Sequence, residues 1–111
     1  MADINSVYGN YRGAAKRRGY SFELDLDTFS NLIKSPCHYC GETGSMTVKT
    51  KRHIIVESPL RYNGVDRVNN SKGYTPDNCV SCCDICNNSK STLSISEWKE
   101  WIDRIYSKMH H

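Results

Sequence analysis

Long apolar runs are missing from this chain. No stretch of its 111 residues approaches the roughly 20 apolar residues of a membrane-spanning helix, and the opening "MADINSVYGN" has neither the basic start nor the apolar run of a secretory signal. The expectation is therefore a cytoplasmic protein with no membrane partner. Internal repeats, low-complexity tracts and linker-like segments are also missing, so one domain over residues 1–111 is expected. Net charge is low: 15 Lys and Arg against 12 Asp and Glu leave +3, too little by itself to argue for a polyanionic partner. At 38% hydrophobic residues the core has to be modest, and something besides it is needed to hold the fold.

What charge there is falls unevenly. "YRGAAKRRGY" gathers Arg12, Lys16, Arg17 and Arg18 into one short run, while acidic residues collect in "ELDLD" and near the C-terminus. Such a patch suits phosphates, and it also suits a plain solvated helix face. The apolar spacing of Ile4, Val7, Tyr8 and Tyr11 predicts a first helix over 3–18, closed by Gly19. Phe22 and Leu24 alternate as in a short strand, Asp25 can cap a helix carrying Phe29, Leu32 and Ile33, and Pro36 stops it. Residues 45–57 read as a strand or ragged hairpin and "NGVDRV" as a short strand. "NNSKGYTPDN" reads as a loop, "CVSCC" as a strand and "DICNNSK" as the start of a helix. Near the C-terminus Ser94 and Glu97 form a capping box flanked by Leu93 and Trp98 as a hydrophobic staple. Trp98, Trp101, Ile102, Ile105 and Met109 then recur at helical steps, and this single-sided stripe is expected to pack into the core.

Six cysteines supply the missing staple. Disulfides are disfavoured in a reducing compartment, whereas paired C-x-x-C knuckles deliver four thiolates to a tetrahedral zinc ion. Cys37 with Cys40 and Cys83 with Cys86 are the preferred ligands. Cys79 with Cys82 has the same spacing, but Cys83 and Cys86 sit at a strand-to-helix corner, and simple burial accounts for the other two. A site closed by four protein sulfurs leaves no position for a substrate, so this Zn²⁺ is expected to be structural.

The segment "YNGVDRVNNSKGYTPDNCVSCCDICNNSK" resembles the ββα-metal core of the HNH endonuclease superfamily, in the zinc-containing form common among small phage-encoded proteins. The upstream "YRGAAKRRGYSFELDLDTFSNLIKSPCHYCG" resembles the N-terminal part of the same proteins, so the likeness runs from about Tyr11 to the C-terminal helix. It implies an α+β fold in three parts. Residues 1–36 carry the basic helix, a short strand and a second helix, residues 37–93 the zinc knuckles with the ββα core, and residues 94–111 an amphipathic helix.

The resemblance also implies a metal-dependent endonuclease acting on DNA, and, for a phage protein, the cytoplasm of a bacterial host. Carried over residue by residue, Asp66 and Asn87 hold a catalytic Mg²⁺ or Mn²⁺, and Asn78 orients the loop. The family's general-base His falls on Arg67. A guanidinium stays charged and cannot take a proton, so Arg67 is read as a clamp on the scissile phosphate. That leaves His53 or Tyr62 as candidate bases. Lys72 and Lys90, with Arg12, Lys16, Arg17 and Arg18, are expected to meet DNA phosphates. The alternative is a zinc-stabilised module that binds nucleic acid or protein without cutting.

Overall fold

The N-terminal stretch folds as α1, Ile4–Arg18, which ends where Gly19 takes a φ of +79°, a left-handed conformation that glycine adopts without a Cβ penalty. The second helix, α2 (Leu26–Lys34), starts on Asp25, whose carboxylate accepts the Thr28 N–H at 2.7 Å. The two helices bury Val7 and Ala15 from α1 and Phe29 and Ile33 from α2. Edge-to-face rings knit them together: Tyr8 meets Phe22 and Phe29 with centroids at 5.5 and 5.3 Å, and Tyr11 meets Phe29 at 5.3 Å. The described structure, a computed structural model, comprises residues 4–44, 46–47 and 61–110.

The strand expected at Phe22 to Leu24 is reduced to a single parallel bridge between Phe22 and Tyr74. Its partner is a loop with one residue in register, so no ladder propagates. The approach is close: a Cβ on Gly73 would stand 2.7 Å from the Ser21 carbonyl oxygen, which explains a glycine there. Of the strand or hairpin expected at 45–57, Met46–Thr47 forms β1 and pairs antiparallel with β2, Arg61–Tyr62. The remainder, His53 included, lies outside the described residues.

Strands β3 (Gly64–Arg67) and β4 (Cys79–Cys82) pair antiparallel, with Val65 opposite Ser81 and Asp66 opposite Val80. Cys83 then caps α3, Asp84–Lys90. This hairpin followed by a helix is the ββα unit of an α+β fold, and its Val65 and Cys79 join the core formed by Leu24, Phe29 and Ile33. Asn63 and Ser81 fasten the unit to the rest. The fully buried Asn63 amide donates to the carbonyls of Ser35 and Glu42, at 3.0 and 2.9 Å, and the Ser81 hydroxyl donates to the Ser35 carbonyl.

The last helix, α4 (Ile95–Met109), begins with both halves of the capping box in place: the Ser94 hydroxyl accepts the Glu97 N–H, and the Glu97 carboxylate accepts the Ser94 N–H. Its stripe departs from expectation. Only Trp98 is buried; Trp101, Ile102, Ile105 and Met109 are exposed, Met109 to 76%. The helix runs past the body of the protein after its first turn, so the periodicity is present but no described element covers it. No helix among the described residues is long and apolar enough to cross a membrane.

Candidate functional site

Two centres lie side by side in the ββα unit. The first is the cysteine cluster. The sulfurs of Cys37, Cys40, Cys83 and Cys86 all lie within 4.8 Å of one another, with Cys40 and Cys83 at 3.6 Å. The sulfurs around a tetrahedral zinc with Zn–S bonds of about 2.3 Å stand about 3.8 Å apart, so the cluster fits that ion. Burial opposes ionisation of Cys37, but hydrogen bonds from the backbone N–H groups of Cys83, Cys40 and Tyr39 outweigh it and hold the thiol at about 6. Burial, and then hydrogen bonding with Cys83 and Cys40, pushes the Cys86 thiol up. A dication would override both shifts by stabilising every thiolate. Cys79 and Cys82 are buried thiols outside the four-sulfur cluster, Cys82 lying against Cys37 and the Cys79 thiol raised by burial to about 11.

The second centre is a cavity of about 440 Å³ between α1, β3 and α3. Asp66 and Arg67 line it from β3, Asn87 from α3, Arg18 from the end of α1 and Tyr20 from just beyond that end. Asp66 is nearly buried, at 6% exposure, and its carboxylate is held from two directions. The Tyr39 hydroxyl donates to Oδ2 at 2.7 Å, and the Lys90 ammonium lies 3.2 Å from Oδ2 and 3.3 Å from Oδ1. Tyr39 sits inside the first C-x-x-C knuckle, so the metal cluster and the acid share a support. Burial first, and then its bond to Asp66, pushes the Tyr39 phenol up, which keeps it a donor.

Arg67 is held as firmly. Its Nη1 donates to the carbonyls of Asn70 and Lys72 at 2.8 and 2.9 Å, and its guanidinium lies 3.7 Å above the centroid of the Tyr20 ring. Asn78 braces the same loop from the other side: its Oδ1 accepts the Asn69 N–H, and its Nδ2 donates to the carbonyls of Asn69 and Gly73. The loop between β3 and β4 is thereby fixed in shape beside the cavity.

The sequence candidates thus separate. Asp66, Arg67, Asn87 and Arg18 come together around one cavity, and Asn78 lies behind it. Arg12, Lys16, Arg17 and Lys72 are exposed; Lys16, Arg17 and Arg18 form the last turn of α1, where cations also complement the helix dipole. Lys90 corrects the expectation of a phosphate contact: it is completely buried and paired with Asp66. Tyr62 is not among the cavity's lining residues, and burial pushes its phenol up, away from base chemistry. His53 falls outside the described residues. Tyr39 and Tyr20 carried no signal in the sequence beyond a place in a knuckle and a place after a helix.

Comparison with known proteins agrees with this geometry. No family model matches the chain. Over 88 residues, 79% of this chain, it is 39% identical to an uncharacterised protein of Acanthamoeba polyphaga mimivirus, of whose length the match spans 14%. Among solved structures, that of the rare-cutting HNH restriction endonuclease PacI is similar at a TM-score of 0.65 and 25% identity, over 99% of this chain and 81% of that one. With its ββα unit and its four-cysteine cluster, the chain is a structural homologue of the HNH (ββα-metal) endonucleases.

Proposed function

We propose that the protein is an HNH-type endonuclease that hydrolyses DNA phosphodiester bonds with a divalent cation, Mg²⁺ or Mn²⁺. The observation that carries this reading is the convergence of Asp66, Arg67 and Asn87 on one cavity whose rim is continued by Arg18. A carboxylate and an amide oxygen are hard ligands for Mg²⁺ or Mn²⁺, and two protein ligands leave several positions to water and phosphate. Bound there, such a cation would supply Lewis-acid stabilisation of phosphate oxygens.

The rest is the work of the chain's own side chains. Arg67 presents a fixed guanidinium to a phosphodiester, its remaining donors suited to paired phosphate oxygens. Arg18, with Lys16 and Arg17 on the same turn, extends the positive surface along the path of the backbone, giving salt-dependent and sequence-tolerant grip. The zinc cluster stays structural and holds Tyr39 against Asp66.

One observation favours the second reading, a binding module that does not cut: Asp66 already has a cationic partner in Lys90, and no histidine is among the described residues that line the cavity. Incubating zinc-replete protein with supercoiled plasmid in Mg²⁺ and in Mn²⁺, with an EDTA control, separates the two. The nuclease reading expects metal-dependent nicking that Asp66→Ala abolishes, by at least a hundredfold. Plasmid retarded on a gel but left intact by both proteins would replace it with the binding module.

A further inference from the structure

Of the groups outside the two centres as read from sequence, Lys90 has the least ordinary surroundings. Its side chain is entirely withdrawn from solvent, and its Nζ sits almost equidistant from the two oxygens of Asp66, at 3.2 and 3.3 Å. A third oxygen, the Arg67 carbonyl, lies 3.5 Å away. A cation centred on both carboxylate oxygens and completed by a backbone carbonyl has the environment of a bidentate metal ligand set. Here an ammonium fills it.

Electrostatics points the same way. Asp66 contributes one negative charge to the cavity, Lys90 pairs with it, and Arg67 and Arg18 line the cavity as two further positive charges. Such a balance repels a free dication and attracts an anion. Tyr39 takes a further share of Oδ2.

We propose that Lys90 occupies the cation position of Asp66 in the free protein, so that a divalent ion loads there only by displacing the ammonium. The proposal rests on the reading of Asp66 as the divalent-cation ligand. Lys90 is on this account a positioning residue, never in contact with DNA.

The test is Mn²⁺ binding by zinc-replete protein, followed by the electron paramagnetic resonance of free Mn²⁺. Lys90→Gln, which keeps a donor toward Asp66 and removes the charge, binds Mn²⁺ at least tenfold more tightly than wild type, and adding Asp66→Asn abolishes the gain. Equal affinities of wild type and Lys90→Gln, or a gain that survives Asp66→Asn, overturn the proposal. The wild-type chain gives a measurement that needs no variant. Titrated Mn²⁺ leaves the Asp66 and Asn87 amide resonances sharp while broadening those beside the exposed acids of α4, and selective broadening at Asp66 overturns the proposal. Selective broadening at Asp66 together with plasmid nicking removes Lys90 from the account and leaves the nuclease standing. Absence of nicking together with no gain in Lys90→Gln removes both.

Discussion

Asp66 shows how much of this site is decided by single hydrogen bonds. A carboxylate at 6% exposure requires partners to remain charged, and it has two from far along the chain, Tyr39 and Lys90. Because burial and the Asp66 bond both push the Tyr39 phenol up, the tyrosine works as a fixed donor. Tyr39→Phe keeps the ring's edge contact with Trp98 and removes only the donor. A hydrogen bond to a charged group is worth about 1.5–3 kcal/mol, and a loss of that size is expected in urea unfolding of zinc-loaded Tyr39→Phe. The same variant is expected to nick plasmid more slowly, since Asp66 then has one fewer restraint.

The last helix divides into a turn that belongs to the fold and a length that does not. Trp98 is buried, its ring meets Tyr39 at 4.9 Å, and its Nε1 donates to Ser89 at 3.1 Å, so the first turn of α4 supports both the knuckle and α3. Trp101, three residues on, is 39% exposed. Trp98→Ala is therefore expected to lose about 3–5 kcal/mol of stability and Ser94→Ala, which breaks the capping box, about 1 kcal/mol. Trp101→Ala is expected to change stability by about 0.5 kcal/mol or less. Thermal melting of the three variants checks the order; equal losses at Trp98 and Trp101 would mean that the whole stripe is packed.

For the molecule as a whole, the cysteine cluster is the clamp between segments that sequence keeps far apart. It ties the knuckle after α2 to the corner before α3, and through Tyr39 it reaches Asp66. Structural zinc in small domains supplies about 10–16 kcal/mol of apparent binding energy at neutral pH, comparable to the whole stability of such a fold. Removal of zinc with a strong chelator is expected to lower the melting temperature sharply and abolish cooperative unfolding of the ββα unit, with Zn²⁺ restoring both. Replacing Cys40 by Ser is expected to reproduce the loss, whereas Cys79→Ala, outside the cluster, is expected to leave zinc stoichiometry unchanged.

Local pattern by itself determined the helices, the caps of α2 and α4, the β3, β4 and α3 segments, and the choice of Cys37, Cys40, Cys83 and Cys86 over Cys79 and Cys82. Periodicity, capping chemistry and knuckle spacing all act within a few residues, so they are legible in one dimension. Only the tertiary structure decided that Lys90 is buried against Asp66, that Tyr39 completes the pair, that Arg67 lies on Tyr20, and that most of the α4 stripe is left uncovered. Each depends on residues distant in sequence meeting or failing to meet. A lysine reads as a surface residue until the fold encloses it, and an apolar stripe reads as core whether or not anything covers it. The pairing of Asp66 with Lys90 follows from β3 packing beside α3, a relation that no local spacing records.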